Sequence, residues 1–133
     1  MKNKKTMILL SAAVALCVCL AVFCLLPVPL MKNTAEVTIS DINYRGQDEM
    51  DRADLTAIAA ILVRYSHNRI PDISRKYDPQ TLILEIGGVT GRKTFQILLG
   101  EQFFIYNDGE HAYTVCRGEK LTAELEAYFQ YSG

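Results

Sequence analysis

From Met7 to Met31 the chain carries no Asp, Glu, Lys, Arg, Asn, Gln or His. A run of that kind restricts what can follow more than any other feature of the sequence. About 20 apolar residues, each rising about 1.5 Å along a helix, cross a hydrocarbon core of about 30 Å. Met7 to Leu26 supplies that length before Pro27 and Pro29, which stop a helix by fixing φ and removing donors. Lys2, Lys4 and Lys5 precede the run and only Lys32 follows closely, so the positive-inside bias places the N-terminus in the cytoplasm. The expected layout is a basic cytoplasmic segment at 1–6, a transmembrane signal-anchor helix at 7–26, a tether at 27–35 and an extracytoplasmic domain at 36–133. The lipid bilayer is then the first partner, through residues 7–26.

A cleaved secretory signal shares the basic start and the apolar stretch. Its apolar region is shorter, about 7–15 residues, and ends in small residues flanking the cut. Here Ala13-Val14-Ala15 comes too early, and nothing comparable follows Leu26. Lipidation of a cysteine would call for a small residue just before it, yet Leu16, Val18 and Phe23 precede Cys17, Cys19 and Cys24. An uncleaved anchor is therefore the expectation, with a secreted domain as the alternative.

The remainder has a different character. Every acidic residue of the chain lies beyond Lys32, and with the three leading lysines set aside, 11 basic residues meet 15 acidic ones, a formal charge of −4. An acidic surface of this kind disfavours acid-rich lipid and nucleic acid as main partners. Cys116 is the only cysteine of this part, so no internal disulfide can staple it and the fold must rest on its core.

Hydrophobic periodicity predicts an α+β domain. Glu36–Tyr44 alternates Val37 and Ile39, then Ile42 and Tyr44, which implies a strand bulged near Asp41. Leu55, Ile58, Ala59 and Leu62 fall on one stripe of a helix from about Asp51 to Ser66, with Asp48 or Asp51 to cap it. His67 to Gln80 contains Pro71 and Pro79 and reads as a loop. Strands follow at Thr81–Ile86, Lys93–Leu99, Gln102–Tyr106 and His111–Cys116. Gly87-Gly88-Val89-Thr90-Gly91, Gly100-Glu101 and Asn107-Asp108-Gly109 join them as hairpin connections. A helix at about Glu119–Tyr131 closes the chain. The order β-α-β-β-β-β-α implies an antiparallel meander with both helices on one face. The expected core is Val37, Ile39, Leu55, Ile58, Leu62, Leu84, Ile97, Ile105, Val115, Leu121, Leu125 and Phe129.

The motifs that could carry chemistry read as structural. In Gly91-Arg92-Lys93-Thr94 an arginine interrupts the glycine-lysine step of a phosphate loop, and Thr94 opens a strand where such a loop must open a helix. Asp48, Glu49, Asp51 and Asp54 lack the order of a calcium loop and suit a helix start. His67 and His111 have no zinc spacing, so neither metal nor other cofactor is expected. Cys116 and His111 sit five apart in one predicted strand, on opposite faces, which argues against a thiolate–imidazole pair and for a noncatalytic domain.

The richest surface is the stretch Arg64 to Tyr77. Arg64, His67, Arg69, Arg75, Lys76 and Tyr77 mix positive or titratable groups with aromatics in an otherwise acidic domain, and Arg and Tyr commonly anchor interfaces. These six residues are the candidate partner-binding surface, for a membrane or envelope protein; the alternative is an ordinary solvated connection with Ile70 and Ile73 tucked under it.

A basic start, one apolar span, a helix between strands, the hairpin series GEQFFIYNDGEHAYTV and a terminal helix resemble small membrane-anchored extracytoplasmic domains of unknown function from Gram-positive bacteria. The resemblance lies in layout, and it implies a location more than an activity. The element order is also similar to cystatin-like sheets that wrap a helix, an inhibitor-like shape that suits the secreted alternative. The functional expectation is a single-pass anchored domain that binds a protein or ligand outside the cytoplasm, with a membrane-bound enzyme using Cys116 as the third reading after the secreted domain.

Overall fold

The structure, a computed structural model, describes residues 2–31, 37–72 and 77–131. Its elements in chain order are α1 (Lys2–Leu25), β1 (Val28–Pro29), β2 (Val37–Tyr44), β3 (Gln47–Asp48), α2 (Leu55–Leu62), β4 (Ser66–His67), β5 (Leu82–Thr90), β6 (Lys93–Gly100), β7 (Phe104–Asn107), β8 (Ala112–Thr114) and α3 (Gly118–Tyr131). The fold is α+β: an apolar N-terminal helix, then an antiparallel sheet domain with two further helices.

The sheet runs β3-β2-β5-β6-β7-β8, with every neighbouring pair antiparallel. Its register sorts the side chains into rows. One row reads Ile42, Ile86, Ile97, Tyr106, Tyr113 and another Tyr44, Leu84, Leu99, Phe104. Both face the helices, where Ile58 and Leu62 of α2 and Leu121 and Leu125 of α3 are buried among them. Side chains alternate across a strand, so the intervening rows face away: Asn43, Glu85, Leu98, Ile105, Thr114, and Asp41, Gly87, Gln96, Asn107, Ala112.

Several expectations hold, and several need correcting. The slip in β2 is a bulge between Ile39 and Asp41, as the broken alternation implies. Gly88 lies against it, and a Cβ there would come 2.3 Å from the Thr38 carbonyl oxygen, so the close strand approach demands glycine. Gly87 to Thr90 belong to β5 and not to a connection, which leaves Gly91 (φ +63°) and Arg92 as the turn. α2 is shorter than its pattern suggests, Leu55–Leu62, because Asp54 is its cap: the carboxylate accepts from the backbone N–H of Thr56 and Ala57. Asp48 instead accepts from the Met50 N–H, and Asp51 does not cap the helix. Ile105 is the misplaced core residue. It shares the outward row with Leu98 and Thr114, while Tyr106 takes the inward position and is buried.

The helices are tied together as well as packed. Tyr128 Oη accepts a 2.7 Å hydrogen bond from the Asp54 N–H, linking α3 to the start of α2. Phe129 stacks on Tyr44 at 5.4 Å, and Arg45 bonds Glu126 at 3.2 Å beside them. The Tyr44 hydroxyl and Glu126 hold the Arg45 guanidinium above its ordinary pKa, so it stays a cation throughout.

Candidate functional site

The segment expected to be a free tether is in part built into the domain. Val28 and Pro29 pair antiparallel with His67 and Ser66, and the Leu30 N–H donates to the Tyr65 carbonyl at 3.0 Å. Leu30 and Met31 are each only 4% exposed and belong to the core cluster. Residues 32–35 of the expected tether lie outside the described residues. β4 continues the pairing inward: the Cys116 N–H donates to Ser66 and the Asn68 N–H to Thr114, both at 2.8 Å, with a bridge between His67 and Val115. The path from helix to sheet is therefore α1, two residues, β1, β4 and the end of β8.

The six candidate residues meet different fates. Arg64 holds Glu124 of α3 at 2.8 Å, a half-exposed ion pair that fastens the end of α2 to α3. His67 is a correction: at 7% exposed it cannot face a partner. Its ring packs on Tyr106 at 4.8 Å and Tyr113 at 4.6 Å, and Nδ1 lies 2.7 Å from the Asn68 carbonyl oxygen. Burial, followed by the charge of Asp108, pushes the hydroxyls of both tyrosines above their ordinary pKa, so they remain neutral beside the ring. Arg69 reaches out of the fold, its guanidinium 4.1 Å from the centre of the Phe23 ring in α1. Tyr77 meets Phe103 edge-on at 5.3 Å and stays partly exposed. Arg75 and Lys76 lie outside the described residues. The structure thus brings Arg69 to the helix exit, turns Arg64 toward α3 and Tyr77 toward Phe103, and buries His67.

Cys116 is half-buried, and its nearest polar partner is Asn68 Oδ1 at 3.3 Å. Among the described residues no group of three or more His, Cys, Asp or Glu side chains is arranged to hold a metal ion. Sequence reasoning missed one feature on the outward sheet face. Asp41, Glu85, Gln96 and Asn107 border a shallow depression of about 370 Å³ over Gly87. Gln96 Nε2 donates to the Glu85 carboxylate there, and Asn107 Oδ1 accepts from the Gly109 N–H at 2.8 Å. The signal was available in the alternate polar positions of β2, β5, β6 and β7, but it required the register to join them.

No family model matches the chain, and no match was found among curated proteins or solved structures.

Proposed function

We propose that this chain is a single-pass membrane protein, N-terminus in the cytoplasm, whose domain is held outside against the bilayer and acts as a noncatalytic binding module. One observation carries the reading: two residues after α1 the chain enters β1, paired with β4 in a two-stranded ladder, with Leu30 and Met31 in the core. A helix over Asn3–Phe23 that is long and apolar enough to cross a membrane, with none of it buried against the domain, has its natural cover in lipid. Cleavage anywhere after Met31 would strip β1, Leu30 and Met31 from the folded domain. Cleavage before Val28 would have to act at the mouth of an ordered strand. Both speak for retention of the helix.

The binding assignment rests on the chemistry of the domain. Cys116 is beside an amide and His67 is walled in by aromatic rings, so neither is set up as a nucleophile with its base. The partner on this reading is a membrane or envelope protein, met on surface not spent on α1.

The test is to express the full chain in a bacterial host, wash membranes at alkaline pH and take the intact mass of the retained protein. Full-length mass in the washed membranes, together with loss of the domain when protease is added to intact spheroplasts, is the expected result. A soluble product shortened by about 24–35 residues would overturn it and point to the secreted alternative.

A further inference from the structure

The end of α1 and the start of the Arg64–Tyr77 stretch lie side by side. Twenty-one helical residues, Asn3–Phe23, rise about 30 Å, the thickness of a hydrocarbon core. Phe23 then falls at the exit boundary, with its ring half exposed. Arg69 is held at that level because β4, two residues before it, is paired with the strand that follows the helix.

Three properties of this corner have no use inside the protein. No carboxylate among the described residues lies within ion-pair distance of Arg69. Its Nε is shielded by neighbouring atoms yet has no hydrogen-bond partner. Ile70, next in the chain, is 58% exposed, a large apolar side chain in a domain that buries most of its others. With Nε shielded, the terminal Nη groups of a guanidinium stacked on an aromatic ring are the donors that can meet two oxygens of a phosphate. An adjacent apolar side chain suits the boundary between headgroups and acyl chains.

We propose that Arg69 and Ile70 form a lipid-docking corner: Arg69 binds the phosphate of an outer-leaflet phospholipid, and Ile70 inserts at the top of the acyl region. Charge complementarity and continuity with the span select phospholipid as the occupant. The inference rests on the anchored reading above and adds to it a second, noncovalent attachment that sets how the domain leans.

The chain contains no tryptophan, so Ile70→Trp introduces a single reporter at an exposed position. The full-length variant is reconstituted into vesicles of phosphatidylcholine and phosphatidylglycerol, and flotation is measured before fluorescence. The expected result is emission to the blue of aqueous tryptophan, quenched most by lipids brominated near the headgroup. Adding Arg69→Glu, with the melting temperature unchanged, should reduce the quenched population about fivefold. Vesicles that float with the protein but show aqueous, unquenched emission overturn the docking corner and leave the anchor standing. Quenching that is indifferent to Arg69→Glu overturns the phosphate contact. Failure to float overturns the anchored reading and the docking corner with it.

Discussion

α1 and α2 are both apolar helices, and they do opposite things. α2 is Leu-Thr-Ala-Ile-Ala-Ala-Ile-Leu, without one charge, and its Ile58, Ala59 and Leu62 are buried against the sheet and α3. α1 is equally apolar after its lysines, yet none of its span is buried, although Arg69 of the domain lies over the Phe23 ring. Length separates them. Eight residues rise only about 12 Å and gain stability from packing, whereas a helix three times longer can be solvated on all sides by lipid. Apolar composition alone does not tell a core helix from a helix long enough to cross a membrane; the two differ here in length and in burial.

The largest test of that contrast pairs two leucine truncations. Leu62→Ala removes a side chain with no exposed surface and should destabilise the domain by about 2–5 kcal/mol in thermal melting. Leu20→Ala, at a position 56% exposed in α1, should leave domain melting unchanged. A Leu20 effect as large as that of Leu62 would mean that α1 packs on the domain.

Leu30→Ala probes the region between the two. Because Leu30 is in the core, it should cost about 2 kcal/mol, read by denaturant midpoint in micelles. A loss near zero would return residues 28–31 to the status of a free tether. Asp54→Ala is smaller, about 1 kcal/mol, since it frees the N–H groups of Thr56 and Ala57. α1 carries no acidic residue in its first turn, so no substitution there should have a matching effect.

The smallest effect depends on pH. Burial pushes the Asp108 carboxyl up, but the N–H groups of His111 and Glu110, which bond it at 2.8 and 2.9 Å, outweigh burial and hold it below its ordinary value. A carboxylate with a lowered folded pKa adds stability that is complete above its unfolded value, about 3.9, and is lost as pH falls through the folded one. Melting temperature should therefore fall in the acid range below about pH 4, and Asp108→Asn should make that fall shallower. An identical acid profile in the variant would remove Asp108 from the account.

Much of the domain is legible in the sequence because its elements are periodic. Four of the long strands, both domain helices, the bulge near Asp41 and the Asn107–Gly109 turn all follow from local pattern, and eight of the twelve expected core residues are buried: Ile39, Ile58, Leu62, Leu84, Ile97, Val115, Leu121 and Leu125. Three elements do not follow. β1, β3 and β4 are two residues each, too short to show any period, and β1 and β4 exist only through pairing with partners distant in sequence. Ile105 was misassigned because a four-residue strand can be read in either phase, and only its pairing with Leu98 fixes it. His67 is invisible as a core residue for a similar reason: the rings that enclose it come from Tyr106 and Tyr113, about 40 residues on. Of the candidate surface, His67 alone is buried among the described residues, since spacing along a loop does not reveal which side chains turn inward.

The junction after α1 has a mechanical meaning. Leu26 still donates to Val22 and Phe23, and the next residues are Pro27, Val28 and Pro29, two of which have φ fixed by their rings. With β1 clamped to β4, there is almost no slack through which the helix could swivel independently of the sheet. A turn of α1 about its own axis becomes a turn of the whole domain, so the outward row of Asp41, Gln96 and Asn107 points in whatever direction the helix is facing.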